Sequence, residues 1–577
     1  MNPRITKEFR VLRPAFVLTL SAAVLPWLIG PNRHEVAEIW MELWFFLGCL
    51  IMGAESFGNE FEQKTLSLLL TQPIPRTSIW KDKMQVLGGA LAVGTGVFGV
   101  TMMFFRQEAF STGHDLIFHP ISYALIALGV LCTTPYWTLL FRSTLIGGLL
   151  TVVAPGPVLG VNSYLHYQWI QSGYSSFNWW FVGNGYLHQQ WIHDPTAEEN
   201  SVVTLLILYS AACCWLGYDR FRKLQVVDAH SMAASRELGL PPRIEALLLR
   251  PCKTLSAGFT GPLASLMKKE LRLQQFAFLF TVLCCAIAIA GLILRQWHFA
   301  VRAGHDWATA LFLGGLLFTL PVLPLIAGAV SVAEEKAWGV VDWHLTLPPS
   351  ALKQWSVKVL VALGTSLVLG LVLPVAAAVA GTALLETNSL PLPLLRDLRL
   401  ALNLLLGGDG FSLAPMSVAL AFLFCVVLGQ MLLTSVAIYA GSIATTTARA
   451  LVLALGLLFA TGCLVKLGSR IAFDHPDLTL QFTCVLQELI HSQLTAVTLM
   501  AAALFLPLCL VQYVAYRGYR TGGMTFRLLG MRLPRTVLVA CFLAIAFLAV
   551  GGIIRILNEG GAMDDRRPVA GQRAPRW

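Results

Sequence analysis

Charged residues are scarce in this 577-residue chain. Asp, Glu, Lys and Arg together make up 12%, about half of the ~25% usual in soluble domains. Other signatures are missing outright. No Gly-Lys dipeptide occurs, so a GxxxxGK[ST] phosphate loop is impossible and the chain has no P-loop machinery of its own for hydrolysing ATP. The stretch HEVAE (His34 to Glu38) lacks the second histidine of HExxH, and no GxSxG appears, so metalloprotease and serine-hydrolase readings lose their usual marks. The 12 cysteines show no CxxC spacing. Most fall inside apolar runs (Cys49, Cys132, Cys213, Cys214, Cys284, Cys285), where a thiol packs as a small hydrophobe rather than as a metal ligand or disulfide partner. Ionisable groups within the apolar runs are few. Glu42 and Glu55 lie toward the ends of one run, and Gln430 and Gln512 are merely polar. An ion-coupled carrier normally needs such groups at mid-depth.

What is present is hydrophobicity. Hydrophobic residues reach 56% and mean hydropathy is +0.68. Apolar blocks of about 20 residues, the length a helix needs to cross a bilayer, recur throughout. They are continuous rather than alternating, so the spans are helices and not strands of a barrel. The runs predict an all-α polytopic protein with spans near 14–30, 37–57, 84–105, 119–141, 145–162 and 201–218. A basic connector follows. Six more spans lie near 276–294, 308–333, 356–384, 413–440, 449–468 and 493–515, then one near 536–557 before a polar tail. The first block is followed by further spans and reads as a helix rather than a cleavable signal.

The net charge is +10. In a chain this apolar the excess reads as cytoplasmic Lys and Arg, not as nucleic-acid binding. With the N-terminus inside, 28 of the 41 Lys and Arg residues fall on cytoplasmic segments, which predicts an inner (plasma) membrane protein with a cytoplasmic N-terminus. The tail after Arg555 runs against that bias.

An internal repeat sets the architecture. Shifting the sequence by 275 residues lays Gly53, Ala54, Ser56, Glu60, Leu70, Thr71, Pro73, Trp80 and Lys83 on Gly328, Ala329, Ser331, Glu335, Leu345, Thr346, Pro348, Trp355 and Lys358. Upstream, KEFR (Lys7 to Arg10) matches KELR (Lys269 to Arg272). Downstream, YDRFR (Tyr218 to Arg222) matches YRGYR (Tyr516 to Arg520). Three landmarks in one order predict a duplicated six-helix unit, its copies related about an axis along the membrane normal. The domains are then 1–225, a connector 226–262, 263–520, and 521–577 with a basic loop, one extra helix and the tail. PRITKEFRVLR and LASLMKKELRLQQ alternate basic and apolar residues. They predict interfacial helices carrying Lys7, Glu8, Arg10 and Lys269, Glu270, Arg272.

The segment GAESFGNEFEQKTLSLLLTQPIPRTSIWKDK resembles the first intracellular loop of ABC-2 type transporter permeases. Glu60 and Glu62 supply the acidic pair, Leu66 to Leu70 the apolar run, Gln72 to Arg76 the Pro-x-x-Arg turn, and Lys83 opens the next span. The second copy has Glu334, Glu335, His344, Leu345, Pro348, Trp355 and Lys358. It departs in carrying Ala351 where the first has Arg76. It has Gly339, where the family commonly has Gly, against Lys64 in the first copy. The resemblance covers both six-helix units and is specific at the loop. It implies that each loop is a coupling helix docking a separate cytoplasmic P-loop ATPase. Leu69, Gln72, Pro73, Arg76 and Trp80 would meet the partner in the first loop. Two loops imply two ATPase subunits, with ATP-Mg held there and no cofactor bound by this chain. The expected function is an ATP-driven permease, an exporter of hydrophobic or amphipathic cargo. An ATPase-independent carrier and a non-transporting component of a signalling or assembly complex are the alternatives. Glycines 88, 89, 94, 96 and 99 predict close helix packing on the third span. The aromatic stretch from Asn162 to Asn200 predicts an outer gate. His166, His188, His193 and Asp194 within it fit no standard metal spacing.

Overall fold

The computed structural model describes residues 3–24, 34–62, 65–110, 120–155, 195–224, 262–298, 307–337, 350–377, 415–474, 493–521, 525–528, 531–534, 536–537, 539–545 and 548. Residues 162–194 of the aromatic stretch, most of the connector, the polar tail, and His344, Leu345 and Pro348 lie outside these. The chain divides into two compact units, residues 1–245 and 246–577. The division falls within the expected connector.

Among the described residues the chain is helical, apart from one antiparallel hairpin of β1 (Thr525–Leu528) and β2 (Met531–Pro534), with Thr525 opposite Pro534. Among the described residues, six helices are long and apolar enough to cross a membrane, or seven if one bent pair counts as a span. The protein is therefore a membrane-embedded helical protein.

The first unit holds α1 (Pro3–Ser21), α2 (His34–Glu62), the short α3 (Leu66–Leu70), α4 (Arg76–Phe110), α5 (Pro120–Phe141), α6 (Thr144–Val153) and α7 (Pro195–Lys223). A 29-residue helix such as α2 is ~44 Å long at 1.5 Å per residue, enough to traverse a bilayer and reach past it. Phe45, Phe98 and Tyr123 form its aromatic core, Phe45 stacking on Phe98 at 4.3 Å. The chain turns from α5 to α6 at Arg142, which takes the left-handed φ of 55°. Ser143 then caps α6, its hydroxyl accepting from the Ile146 amide.

The second unit holds α8 (Pro262–Leu273), α9 (Gln275–His298), α10 (Trp307–Ala337), α11 (Ala351–Leu367), α12 (Pro415–Ile443), α13 (Thr447–Asp474) and α14 (Gln493–Thr521). α8 and α9 meet at a 50° bend. Gln274 sits in that bend and donates to the Ala327 carbonyl at 3.0 Å, fastening it to α10. α11 continues through a π-turn at Val368–Val372. Pro324 has no N–H for the Leu320 carbonyl one turn back. Gln430 of α12 donates to that carbonyl instead, at 2.9 Å, and accepts from Ser366 of α11 at 3.0 Å. Gly370 in the π-turn leaves room for the amide, since a Cβ there would lie 3.0 Å from Gln430 Oε1.

On the third span the expected close approach occurs at Gly94, where a Cβ would lie 3.3 Å from Thr19 Cγ2, with Gly88 in ordinary contact with Leu131 at 3.7 Å. A methyl at Gly89, Gly96 or Gly99 would meet no neighbouring helix within 4 Å. Tighter contacts lie on α2, α6 and α10, with a Cβ at Gly147 of α6 falling 2.4 Å from Thr138 Oγ1. A Cβ at Gly58 would fall 1.9 Å from Thr144 Cγ2, and one at Gly328 would fall 2.5 Å from the Thr434 carbonyl oxygen.

Candidate functional site

The first loop is folded, not merely polar. Glu60 ends α2 in both senses. Its carbonyl accepts from the Thr65 amide at 3.0 Å, and its carboxylate accepts from the Thr65 hydroxyl. That reversal starts α3. Leu66, Leu69 and Leu70 turn inward, onto Phe57, Ile79, Trp80, Leu139, Phe221 and Leu224. Leu68 points the other way and is 67% exposed. Beside it Thr71, Gln72, Pro73 and Pro75 are exposed. The two prolines prevent α3 from continuing, and Pro75 opens α4 with its carbonyl accepting from Ser78 at 2.9 Å. Arg76 is half-buried and donates to the Arg222 carbonyl of α7 at 2.6 Å. It thereby satisfies one of the acceptors that a helix C-terminus leaves open.

Four charges lock this corner to the first helix. Lys83 of α4 is buried, its Nζ 2.7 Å from Glu8 of α1 and 3.4 Å from Glu60 of α2. It also donates to the Ser56 carbonyl at 3.0 Å. Lys7, far more exposed, reaches Glu60 at 3.4 Å. Two cations and two carboxylates cancel, which is what permits their burial.

The second unit repeats the cluster. Lys358 of α11 lies 2.7 Å from Glu270 of α8 and 2.6 Å from Glu335 of α10. The Ser331 carbonyl is 3.5 Å away, and Lys269 pairs with Glu335. The members match the first cluster one for one: Lys7, Glu8, Ser56, Glu60 and Lys83 against Lys269, Glu270, Ser331, Glu335 and Lys358. The ring contacts repeat as well. Trp80 lies 5.6 Å from Phe221 and 6.0 Å from Tyr218. Trp355 lies 5.3 Å from Tyr519 and 6.2 Å from Tyr516. The downstream landmarks YDRFR and YRGYR are therefore the caps that cover the two tryptophans.

This changes the roles expected from sequence. Leu69 and Trp80, and in the second unit Trp355, face their own unit's interior and present no surface to a partner. Glu60, Glu335, Lys83 and Lys358 belong to the buried clusters. So do Glu8 and Glu270, which lie with Lys7 and Lys269 on α1 and α8; Arg10 and Arg272 are exposed. Of the expected first-loop contacts, Gln72 and Pro73 remain outward, joined by Leu68. Glu334 is half-exposed. The side chain of Glu62 is outside the described residues. The link between each first helix and its loop was missed by sequence reasoning. Its signal was a Lys at the start of one apolar helix, with Glu at the end of another and in KExR, in both copies.

No family model, no curated protein and no solved structure matches the chain.

Proposed function

We propose that the chain is the permease of an ATP-driven exporter of the ABC-2 type. It consists of two fused six-helix units and one further C-terminal helix in the plasma membrane, with the N-terminus in the cytoplasm. Two separate P-loop ATPases dock on its two cytoplasmic loops and hydrolyse ATP. The carrying observation is the first loop itself. A one-turn helix offers Leu68, Gln72 and Pro73 outward from a corner that is rigid by aromatic packing on one side and a buried ion cluster on the other. A surface that transmits force must not yield when pushed. The matched charge cluster in the second unit supports a second docking point of the same build. Cargo that is hydrophobic or amphipathic suits the apolar composition.

The test is co-purification of the full chain with the P-loop ATPase from its source cells. Leu68→Asp and Pro73→Ala, combined with the matching change in residues 344–348, are expected to abolish or weaken the association tenfold or more while leaving the folded yield intact. An ATPase that stays bound to this variant would overturn the docking assignment.

A further inference from the structure

We propose that Cys132 and Cys214 form an oxidisable pair, converted by a lipid hydroperoxide into a disulfide that ties α5 to α7. Cys132 lies on α5 and Cys214 on α7, and each is the group that acts most strongly on the other's thiol. Both are unbridged and half-buried. The two helix backbones are close one turn further on, where a Cβ at Gly217 would lie 3.4 Å from the Tyr136 Cα.

The repeat supplies the independent observation. Ser143 caps the Ile146 amide as Thr446 caps that of Arg449, which sets an offset of 303 between α5 and α12. The contacts of Gly53 with Thr134 and of Gly328 with Ala437 give the same offset. YDRFR and YRGYR set 298 between α7 and α14. On these offsets Cys132 corresponds to Ser435 and Cys214 to Gln512. Gln512 donates to Ser435 at 2.9 Å. One inter-helix contact is thus built twice, from an amide and a hydroxyl in the second unit and from two thiols in the first. Only the thiol version can become covalent.

The chemistry needs an oxidant that partitions into an apolar environment. One thiolate sulfur attacks the peroxide and the O–O bond breaks. The alkoxide takes a proton and leaves as alcohol, and the cysteine becomes a sulfenic acid. The second sulfur then displaces the hydroxyl, the S–S bond forms and water leaves. Two thiols are oxidised and one hydroperoxide is reduced. Cys213 is buried beside them and interacts with Tyr209 of its own helix. The tie would hold α7, whose far end packs on Trp80 and accepts from Arg76.

The experiment treats the full chain in lipid nanodiscs with cumene hydroperoxide, then alkylates, digests and sequences by mass spectrometry. The expected product is a Cys132–Cys214 peptide pair reversible by dithiothreitol. Cys132→Ser should remove it. Cys132→Ser with Cys214→Gln copies the second unit's contact, should fold as the parent does, and should be inert to the peroxide at α5 and α7. Cys132 and Cys214 left alkylatable, oxidised singly beyond sulfenic acid, or bridged to other cysteines would each overturn the pair.

Discussion

Lys83 and Lys358 are cations where water scarcely reaches, their side chains each 2% exposed. Each is tolerable only because two carboxylates and a backbone carbonyl face it. Removing the lysine leaves two carboxylates close together in a dry site. Deleting one partner of a buried pair costs about 3–5 kcal/mol. Lys83→Ala and Lys358→Ala should therefore lose stability on that scale, read as a fall in thermal midpoint of the detergent-solubilised chain. Lys7→Ala is the contrast. Its side chain is 58% exposed, and such pairs contribute about 0–1 kcal/mol, so its midpoint should hardly move. Equal losses from Lys7→Ala and Lys83→Ala would show that the cluster is not the buried anchor described. Replacing the three buried members of the first cluster by neutral residues of like size (Lys83→Met, Glu8→Gln, Glu60→Gln) should cost less than Lys83→Ala alone, because no buried charge is stranded and Lys7, 58% exposed, keeps its water.

The repeat pairs Gly53 of α2 with Gly328 of α10, but the two positions meet different atoms. At Gly328 an added Cβ meets the Thr434 carbonyl at 2.5 Å and the Ile438 amide at 3.0 Å, both backbone. At Gly53 it meets only side chains, Val130 at 2.8 Å and Thr134 at 3.0 Å. Side chains can rotate and backbones cannot. Gly328→Ala should therefore cost about 1–3 kcal/mol, the usual range for overpacking, and Gly53→Ala clearly less. The comparison is made by thermal unfolding of the two variants side by side. Gln430→Ala tests the same region differently. It strands the Leu320 carbonyl that Pro324 leaves open, a loss of about 1–3 kcal/mol for an unsatisfied buried group. Much of this framework was legible beforehand. Apolar blocks marked the long helices, and the 275-residue offset placed Glu60 and Lys83 on their twins. The start of α4 at Arg76 and of α11 at Ala351 falls on the same offset. The inward turn of Leu69 and Trp80 was not legible, because a leucine run on a five-residue helix has no period long enough to declare a face. Nor was the bridge from Gln430 to Leu320. It joins residues 110 apart, and nothing local in either stretch signals the other.

Two copies of the loop in one chain carry a stoichiometric consequence for the proposed permease, two ATPases per chain. The anchors are alike in their charge clusters but not in their outer braces. Arg76 ties the first corner to the end of α7, whereas the second unit has Ala351 there. Lys336 instead donates to the Ser442 carbonyl, tying the end of α10 to the end of α12. Phe61, at the matching place in the first unit, can make no such bond. The ends of the first loop thus lean on α7, and the end of α10 leans on α12. Leu68→Asp alone should then release one ATPase and leave the other, and native mass spectrometry of the complex should show two ATPases falling to one. Arg76→Ala keeps the outward face and loosens only the brace. It should keep both ATPases bound while lowering the cargo-stimulated part of ATP hydrolysis. A complex that loses both ATPases with Leu68→Asp would show that the loops do not act as separate docking points. Unchanged stimulation in Arg76→Ala would show that force does not pass through the contact with α7.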